Sequence, residues 1–102
     1  MKSFSKYDIV EAVKTIYDPD ISINIFDLGL IYLIDIANDN KIKINMTLTS
    51  VNCPFAQELP EQVKNVVELI DGVGEVTVNL VWDPPWSPEH MTEAAKLELG
   101  FI

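Results

Sequence analysis

The feature that most constrains the fold is a clean alternation of apolar and polar residues from Lys41 to Thr49. Its apolar members are Ile42, Ile44, Met46 and Leu48, and its polar members are Lys43, Asn45, Thr47 and Thr49. A period of two predicts a strand that is buried on one face. The preceding segment, Leu30 to Ala37, is apolar and rich in β-forming residues, and Asn38-Asp39-Asn40 predicts a hairpin turn. The two strands should therefore pair antiparallel.

A helical pattern follows this hairpin and leads to a third strand. Apolar residues recur at helical spacing after Pro54: Leu59, Val63, Val66, Val67 and Ile70. Pro60 should kink this helix or divide it in two. The strand from Glu75 to Trp82 carries Val76, Val78, Leu80 and Trp82 on one face. Because a strand–helix–strand connection crosses over right-handed, this strand should run parallel to one already in the sheet.

Two more helices are predicted near the ends of the chain. Ser5 and Asp8 resemble a capping box that opens an amphipathic helix over 5–17, with Ile9, Val13, Ile16 and Tyr17 on its apolar face. Ser87 and Pro88 should start a last helix that stops near Gly100. The segment 21–26 is a short strand or an extended loop, and Gly29 indicates a bulge or a close backbone approach. The fold class is α/β (α+β): two layers, helix–strand–strand–helix–strand–helix, with a small mixed sheet.

Length and charge narrow the class of protein. The chain has 102 residues, which predicts a single domain over 1–102 with the Trp- and Pro-containing tail 82–102 packed on it. The net charge is −9 with only seven Lys plus Arg, so nucleic acid is not an expected partner. No apolar run is long enough to cross a membrane. One cysteine excludes an internal disulfide and indicates a reducing compartment, for which the cytoplasm is expected.

The stretch from Thr47 to Pro54 carries that single cysteine where a strand ends and a helix is expected to begin. A thiol beside the free N–H groups of a helix start is favoured as thiolate, so Cys53 is a candidate reactive or metal-binding residue, flanked by the Thr49 and Ser50 hydroxyls. The alternative is a small buried residue, since free cysteine is among the most buried types. The spacing alone leaves both interpretations open.

Other side chains have two interpretations each. Asp18 and Asp20, which bracket Pro19, form a carboxylate pair suited to a hard cation or to acid–base roles, or simply a helix stop and turn; Asp27 has the same ambiguity. His90, the only histidine, is a candidate base for Cys53 or a solvated surface residue. Of the two tryptophans around Asp83-Pro84-Pro85, Trp82 is expected to cover the sheet end and anchor the tail, and a partner-binding patch is the alternative.

Four segments taken together resemble a known family. They are Asp18-Pro19-Asp20-Ile21, Asp27-Leu28-Gly29-Leu30-Ile31-Tyr32, Thr47-Leu48-Thr49-Ser50-Val51-Asn52-Cys53-Pro54, and Trp82-Asp83-Pro84-Pro85-Trp86-Ser87-Pro88 followed by Met91-Thr92-Glu93-Ala94. In this order they are similar to the metal–sulfur cluster biosynthetic domain family, the SufT- and PaaD-like iron–sulfur cluster assembly proteins. The similarity runs from about Lys6 to Gly100.

The resemblance implies a compact domain like the C-terminal domain of NifU-type scaffolds and a role in maturing iron–sulfur proteins. It implies a functional cleft formed by six residues: Asp18, Asp20, Ile21, Thr49, Ser50 and Cys53. Asp20 stands where many members have Glu, and Ser50 where some have Thr, so the acid and the hydroxyl are kept. The chain lacks the terminal extensions of some SufT and PaaD members, and functions housed there are not expected of it.

The favoured hypothesis is an accessory factor, not a turnover enzyme, in which Cys53 transiently ligates iron or an iron–sulfur cluster and no cofactor is stably bound. Its partners would be the iron–sulfur assembly machinery and client apo-proteins, with a homodimer left open. A second hypothesis is a thiol-dependent hydrolase or transferase with Cys53 as nucleophile. A third is a protein–protein adaptor with a structural cysteine.

Overall fold

The computed structural model describes residues 4–18, 23–48 and 58–100. Its elements follow the predicted order and form an α+β fold. They are α1 (Lys6–Val13), β1 (Ile31–Ile36), β2 (Ile42–Met46), α2 (Leu59–Glu68), β3 (Val76–Leu80), a 3₁₀ turn (Pro88–His90) and α3 (Glu93–Leu99). The predicted fold class is confirmed.

Within the part of the chain that the structure describes, three strands form one mixed sheet in the order β1-β2-β3. β1 and β2 pair antiparallel through the predicted hairpin, where Asn40 takes the left-handed conformation (φ 66°) that asparagine tolerates in turns. β2 and β3 pair parallel, as the crossover through α2 requires. β2 is therefore the central strand, and its alternate side chains Ile42, Ile44 and Met46 are buried as predicted.

The hydrophobic core lies between one face of this sheet and helices α1 and α2. It includes Ile9 and Val13 from α1, and Leu59, Val63 and Val67 from α2, all of them 0–1% exposed. The opposite face of the sheet carries polar side chains, and there the Asn79 amide donates to the Asn45 side-chain oxygen at 3.3 Å. Within the described ranges, each helix is too short or too polar to cross a membrane.

Helix α1 begins as predicted but ends four residues early. The Asp8 carboxylate accepts the backbone N–H of Ser5 at 2.9 Å, which is half of the predicted capping box. After Val13 the backbone bonds tighten to i→i−3, and the Thr15 hydroxyl donates to the Ala12 carbonyl at 2.6 Å. A local side-chain bond of this kind competes with the helix ladder. Tyr17 consequently lies outside the helix and is 59% exposed, so its predicted core position is wrong.

The other end of the chain also departs from the prediction. Ser87 and Pro88 start only the short 3₁₀ turn, and the last helix has its own cap, because the Thr92 hydroxyl accepts the Ala95 N–H at 3.3 Å. The helix stops at Gly100 with φ 83°, as predicted. Pro60 lies in the first turn of α2, where it costs no hydrogen bond, and the predicted helical residues 54–57 lie outside the described residues.

Candidate functional site

Of the six predicted cleft residues, the structure describes Asp18. The other five, Asp20, Ile21, Thr49, Ser50 and Cys53, lie in segments 19–22 and 49–57, outside the described residues. The transient metal role of Cys53 and the pairing of Cys53 with His90 therefore stay predictions. The described residues nevertheless define where these two segments start and end.

Asp18 is a buried residue, with 3% of its surface exposed. Its backbone N–H donates to the Ile23 carbonyl at 3.2 Å, and this bond joins the two ends of the segment 19–22. A carboxyl group is rarely buried to this extent without a specific role, because removing it from water is costly. The predicted acidic turn therefore begins at a carboxyl group held inside the protein rather than at an ordinary surface turn.

A relay of backbone hydrogen bonds connects the stems of the two predicted cleft segments. The Ile25 N–H donates to the Ile16 carbonyl at 2.9 Å, and the Leu30 N–H donates to the Ile25 carbonyl at 3.1 Å. The Thr47 N–H then donates to the Leu30 carbonyl at 2.8 Å. Asp18 comes two residues after Ile16, where the relay begins, and Thr49 comes two residues after Thr47, where it ends. The described residues that precede segments 19–22 and 49–57 thus belong to one hydrogen-bonded layer at the end of β2.

Thr47 is a buried polar residue that the sequence analysis missed. The alternation put it on the polar face of β2, but the strand ends at Met46 and both Thr47 and Leu48 are buried, at 0% and 2% exposure. The Thr47 hydroxyl has no hydrogen-bond partner among the described residues. The Thr47 N–H bond to the Leu30 carbonyl continues the antiparallel pairing of Ile31 with Met46 by one residue. A period-two pattern predicts which face of the sheet Thr47 lies on, but not that this face is covered beyond Met46.

Asp27 has a structural role in its turn. The Asn24 amide donates to the Asp27 carboxylate at 2.9 Å, and the Asp27 N–H donates to the Asn24 side-chain oxygen at 2.9 Å. The Asp27 carbonyl also accepts the N–H of Thr92 at 2.9 Å, which ties this turn to the start of α3. Of the two interpretations of Asp27, the turn residue is the one its hydrogen bonds support.

The tail is anchored by Trp86, so the assignment of that role to Trp82 is wrong. Trp82 is 44% exposed, whereas Trp86 packs against the core and its Nε1–H donates to the Leu28 carbonyl at 2.7 Å. The phenol of Tyr32 donates to the Pro84 carbonyl at 2.9 Å. Burial raises the pKa of the Tyr32 phenol above its usual value. At least one tryptophan was expected to hold the tail, and Trp86 does so.

His90 and Gly29 meet where the tail crosses the loop before β1. His90 is exposed, as the surface interpretation predicted, and its ring lies 5.6 Å from the ring of Tyr32. A Cβ added at Gly29 would overlap the His90 carbonyl oxygen, so the predicted close backbone approach is confirmed. Among the described residues, no cluster of three or more His, Cys, Asp or Glu side chains could hold a metal ion.

Comparison with known proteins decides the family. The family model described as iron–sulfur cluster assembly protein matches residues 6–78. The chain belongs to this family. The resemblance inferred from the four sequence segments is therefore confirmed.

Relatives of this family are similar over almost the whole chain. The Fe-S protein maturation auxiliary factor of Porphyromonas gingivalis is 45% identical over 95 residues, which cover 93% of this chain and 90% of the relative. The Fe-S protein maturation auxiliary factor YitW of Bacillus subtilis is 36% identical, with 98% of each chain covered. The crystal structure of a domain of unknown function from Bacillus anthracis superposes with a TM-score of 0.86 at 36% identity, covering 94% of this chain and 92% of that one.

Proposed function

We propose that this protein is an accessory factor in the maturation of iron–sulfur proteins, in which the Cys53 thiolate transiently ligates iron or a cluster, or engages a cluster held by a partner. Iron or the cluster is then cargo, and the protein is not a turnover enzyme. Membership of the iron–sulfur cluster assembly protein family supports the accessory role, as do the names of its relatives as maturation auxiliary factors.

The number of thiols limits how the cargo can be held. The chain has one cysteine, and an iron–sulfur cluster is ordinarily held by four ligands. The remaining ligands must come from oxygen atoms, a second chain or the partner. Because one thiolate supplies only part of the ligand set, the protein is better suited to transferring iron or a cluster than to storing it.

The observation that carries the proposal is the backbone relay from Ile16 to Thr47. Because the relay joins the described stems of both predicted cleft segments, it supports the proposal that the acidic segment and the cysteine segment form one cleft. In the proposed cleft Asp18 and Asp20 supply a polar wall beside Ile21, and the hydroxyls of Thr49 and Ser50 hydrogen-bond the thiolate. These bonds would favour the charged form of the sulfur, which is the form that ligates metal.

The partners follow from this chemistry. They are the iron–sulfur assembly machinery that supplies the cargo and the apo-proteins that receive it. A thiolate that must stay reduced suits the cytoplasm, which is the proposed compartment.

The test replaces Cys53 by Ala in a host that lacks its own copy and any redundant factor. We expect the activity of an iron–sulfur enzyme in that host to fall to the level without the protein. Cys53→Ser, which keeps the size and removes the thiolate, should fall equally, whereas Ser50→Thr keeps the hydroxyl and should retain activity. Undiminished activity of a folded Cys53→Ala protein would contradict the proposal.

Reaction of the native protein with a thiol reagent separates the proposal from a structural cysteine. An accessible thiolate should label quickly without denaturant, and slow labelling that requires denaturation would favour the adaptor hypothesis. Anaerobic addition of iron and sulfide, followed by a visible absorption spectrum, should give a cluster absorption that Cys53→Ala lacks.

A further inference from the structure

The outer edge of β3 offers backbone hydrogen-bonding groups that no described residue uses. Two backbone hydrogen bonds of 2.8 Å mark the ends of the ladder between β2 and β3. At one end the Ile42 N–H of β2 donates to the carbonyl of Glu75, just before β3, and at the other the N–H of Val81, just after β3, donates to the Met46 carbonyl of β2. In a parallel ladder alternate residues face the partner strand, so the residues between them face outward. The outward set is Val76, Val78 and Leu80. Within the described ranges, none of their N–H and C=O groups on this edge has a backbone partner.

This edge also lacks the features that normally keep edge strands from pairing. Bulges, prolines and charged residues, especially lysine, usually blunt such edges. The sequence of β3, Val-Thr-Val-Asn-Leu, contains no charge and no proline, and its five register pairs run without a bulge. The other edge strand, β1, has a register shift between Ile31 and Leu33, and the phenol of its Tyr32 is bonded to the tail. The edge of β3 is therefore the one suited to accept another strand.

A groove beside this edge defines the charge of a suitable strand. It lies between α2 and β3, has a volume of about 530 Å³, and its charged lining consists of Glu61, Lys64, Glu68 and Glu75. Three carboxylates face one ammonium, and none of the three forms an ion pair with a described residue. A strand added to β3 would direct every second side chain into this groove. Basic side chains at those positions would be attracted to the carboxylates.

We propose that β3 accepts an extended, basic segment of a partner protein as a fourth strand, through the outward groups of Val76, Val78 and Leu80. The partner's backbone supplies the hydrogen bonds, and its alternate Lys or Arg side chains lie in the groove against Glu61 and Glu68. A second copy of this chain is a poor occupant, because each copy carries a net charge of −9 and would bring the same carboxylates together. The proposal does not involve Cys53 and does not depend on the proposed function.

The first test uses the synthetic peptide Lys-Val-Lys-Val-Lys-Val-Lys as the probe and amide hydrogen exchange of the full chain as the readout. At saturating peptide, exchange at Val76, Val78 and Leu80 should slow by at least about threefold, because these amides become bonded. The amides of Thr77 and Asn79 already face β2 and should change little. The same peptide with Glu in place of Lys should not bind. Equal binding of both peptides, or binding without slowing at the outward amides, would overturn the proposal.

Variants separate the backbone contribution from the charge contribution. Val78→Pro removes an outward N–H and leaves the ladder to β2 intact, so it should abolish peptide binding, whereas Asn79→Ala on the open face should not. Glu61→Gln with Glu68→Gln should weaken binding about fivefold at low salt, since each exposed ion pair contributes modestly. The matched control, Glu89→Gln with Glu93→Gln, removes the same charge away from the groove and should leave the affinity unchanged.

Two further outcomes are decisive. Sedimentation that reveals a dimer in wild type and a monomer in Val78→Pro would assign the edge to a second copy and overturn the proposal. Cys53→Ala should bind the peptide as wild type does. If Cys53→Ala keeps full iron–sulfur enzyme activity while wild type binds the peptide as described, only the proposed function is wrong. If Cys53→Ala loses that activity but wild type does not bind the peptide, only the proposal for β3 is wrong.

Discussion

The indole Nε1–H of Trp86 donates a hydrogen bond to the carbonyl oxygen of Leu28 at 2.7 Å, across 58 positions of the sequence. Leu28 is fully buried, so this bond fixes the tail to the loop that leads into β1. The loop also carries Gly29 and Leu30, and Leu30 belongs to the backbone relay below the proposed cleft. The tail therefore holds in place the loop of Leu28 to Leu30, and Leu30 links the segments that lead into the proposed cleft.

Trp86→Phe tests this anchor. The variant keeps an aromatic ring but leaves the Leu28 carbonyl without its donor, so we expect the free energy of unfolding to fall by about 1–3 kcal/mol. Urea denaturation of both proteins measures the difference. Trp82→Phe is the matched control, because Trp82 is 44% exposed, and its effect should stay within about 0.5 kcal/mol. Equal losses in the two variants would contradict the anchor role of Trp86.

Gly29→Ala tests the contact between this loop and the tail. Gly29 has φ 84°, and an added Cβ would overlap the His90 carbonyl oxygen and lie 2.7 Å from the His90 Cβ. Gly100 has φ 83° but nothing within 4 Å of an added Cβ, so Gly100→Ala carries the backbone strain without the overlap. We expect a loss of about 1 kcal/mol at Gly100 and at least about 3 kcal/mol at Gly29. Similar thermal or urea stabilities of the two variants would mean that His90 moves aside at little cost.

The sheet could be predicted from sequence because its central strand is half buried. Ile42, Ile44 and Met46 alternate with polar residues, and only one register puts all three into the core. The parallel pairing of β3 then followed from the handedness of the crossover connection. Both inferences use regularities that lie within a short stretch of chain.

Features set by contacts between distant segments could not be predicted in this way. The burial of Thr47 depends on the cover over the otherwise polar face of the sheet beyond Met46, and the choice of Trp86 over Trp82 depends on where the tail meets Leu28. The early end of α1 combines the local bond from the Thr15 hydroxyl to the Ala12 carbonyl with a distant one, in which the Ile16 carbonyl accepts the N–H of Ile25. For the candidate site, the sequence motifs predicted which residues form it. The backbone relay that joins its two stems could not be predicted, because it connects residues that are far apart in the sequence.

Tyr32→Phe should change how stability depends on pH. Burial favours the neutral phenol and raises the pKa of Tyr32, so the folded chain keeps this proton to higher pH than the unfolded chain. The contribution is complete below about pH 10, the unfolded value, and is lost as the pH rises through the folded value. Urea denaturation between about pH 9 and 11 should therefore show a shallower decline for Tyr32→Phe than for wild type. Tyr7→Phe, which removes an exposed phenol, is the control, and equal slopes in the two variants would contradict the role assigned to Tyr32.

Thr47→Val asks whether a hydroxyl buried at the stem of the proposed cleft stabilises the fold. Among the described residues the hydroxyl has no hydrogen-bond partner, and the residue is 0% exposed. Valine has the same shape, so removing an unsatisfied polar group should raise the free energy of unfolding by about 1 kcal/mol in urea denaturation. Thr77→Val, on the exposed face of β3, should have an effect within about 0.5 kcal/mol. A loss of more than about 1 kcal/mol in Thr47→Val would contradict this expectation, because it would mean that the hydroxyl makes a stabilising hydrogen bond.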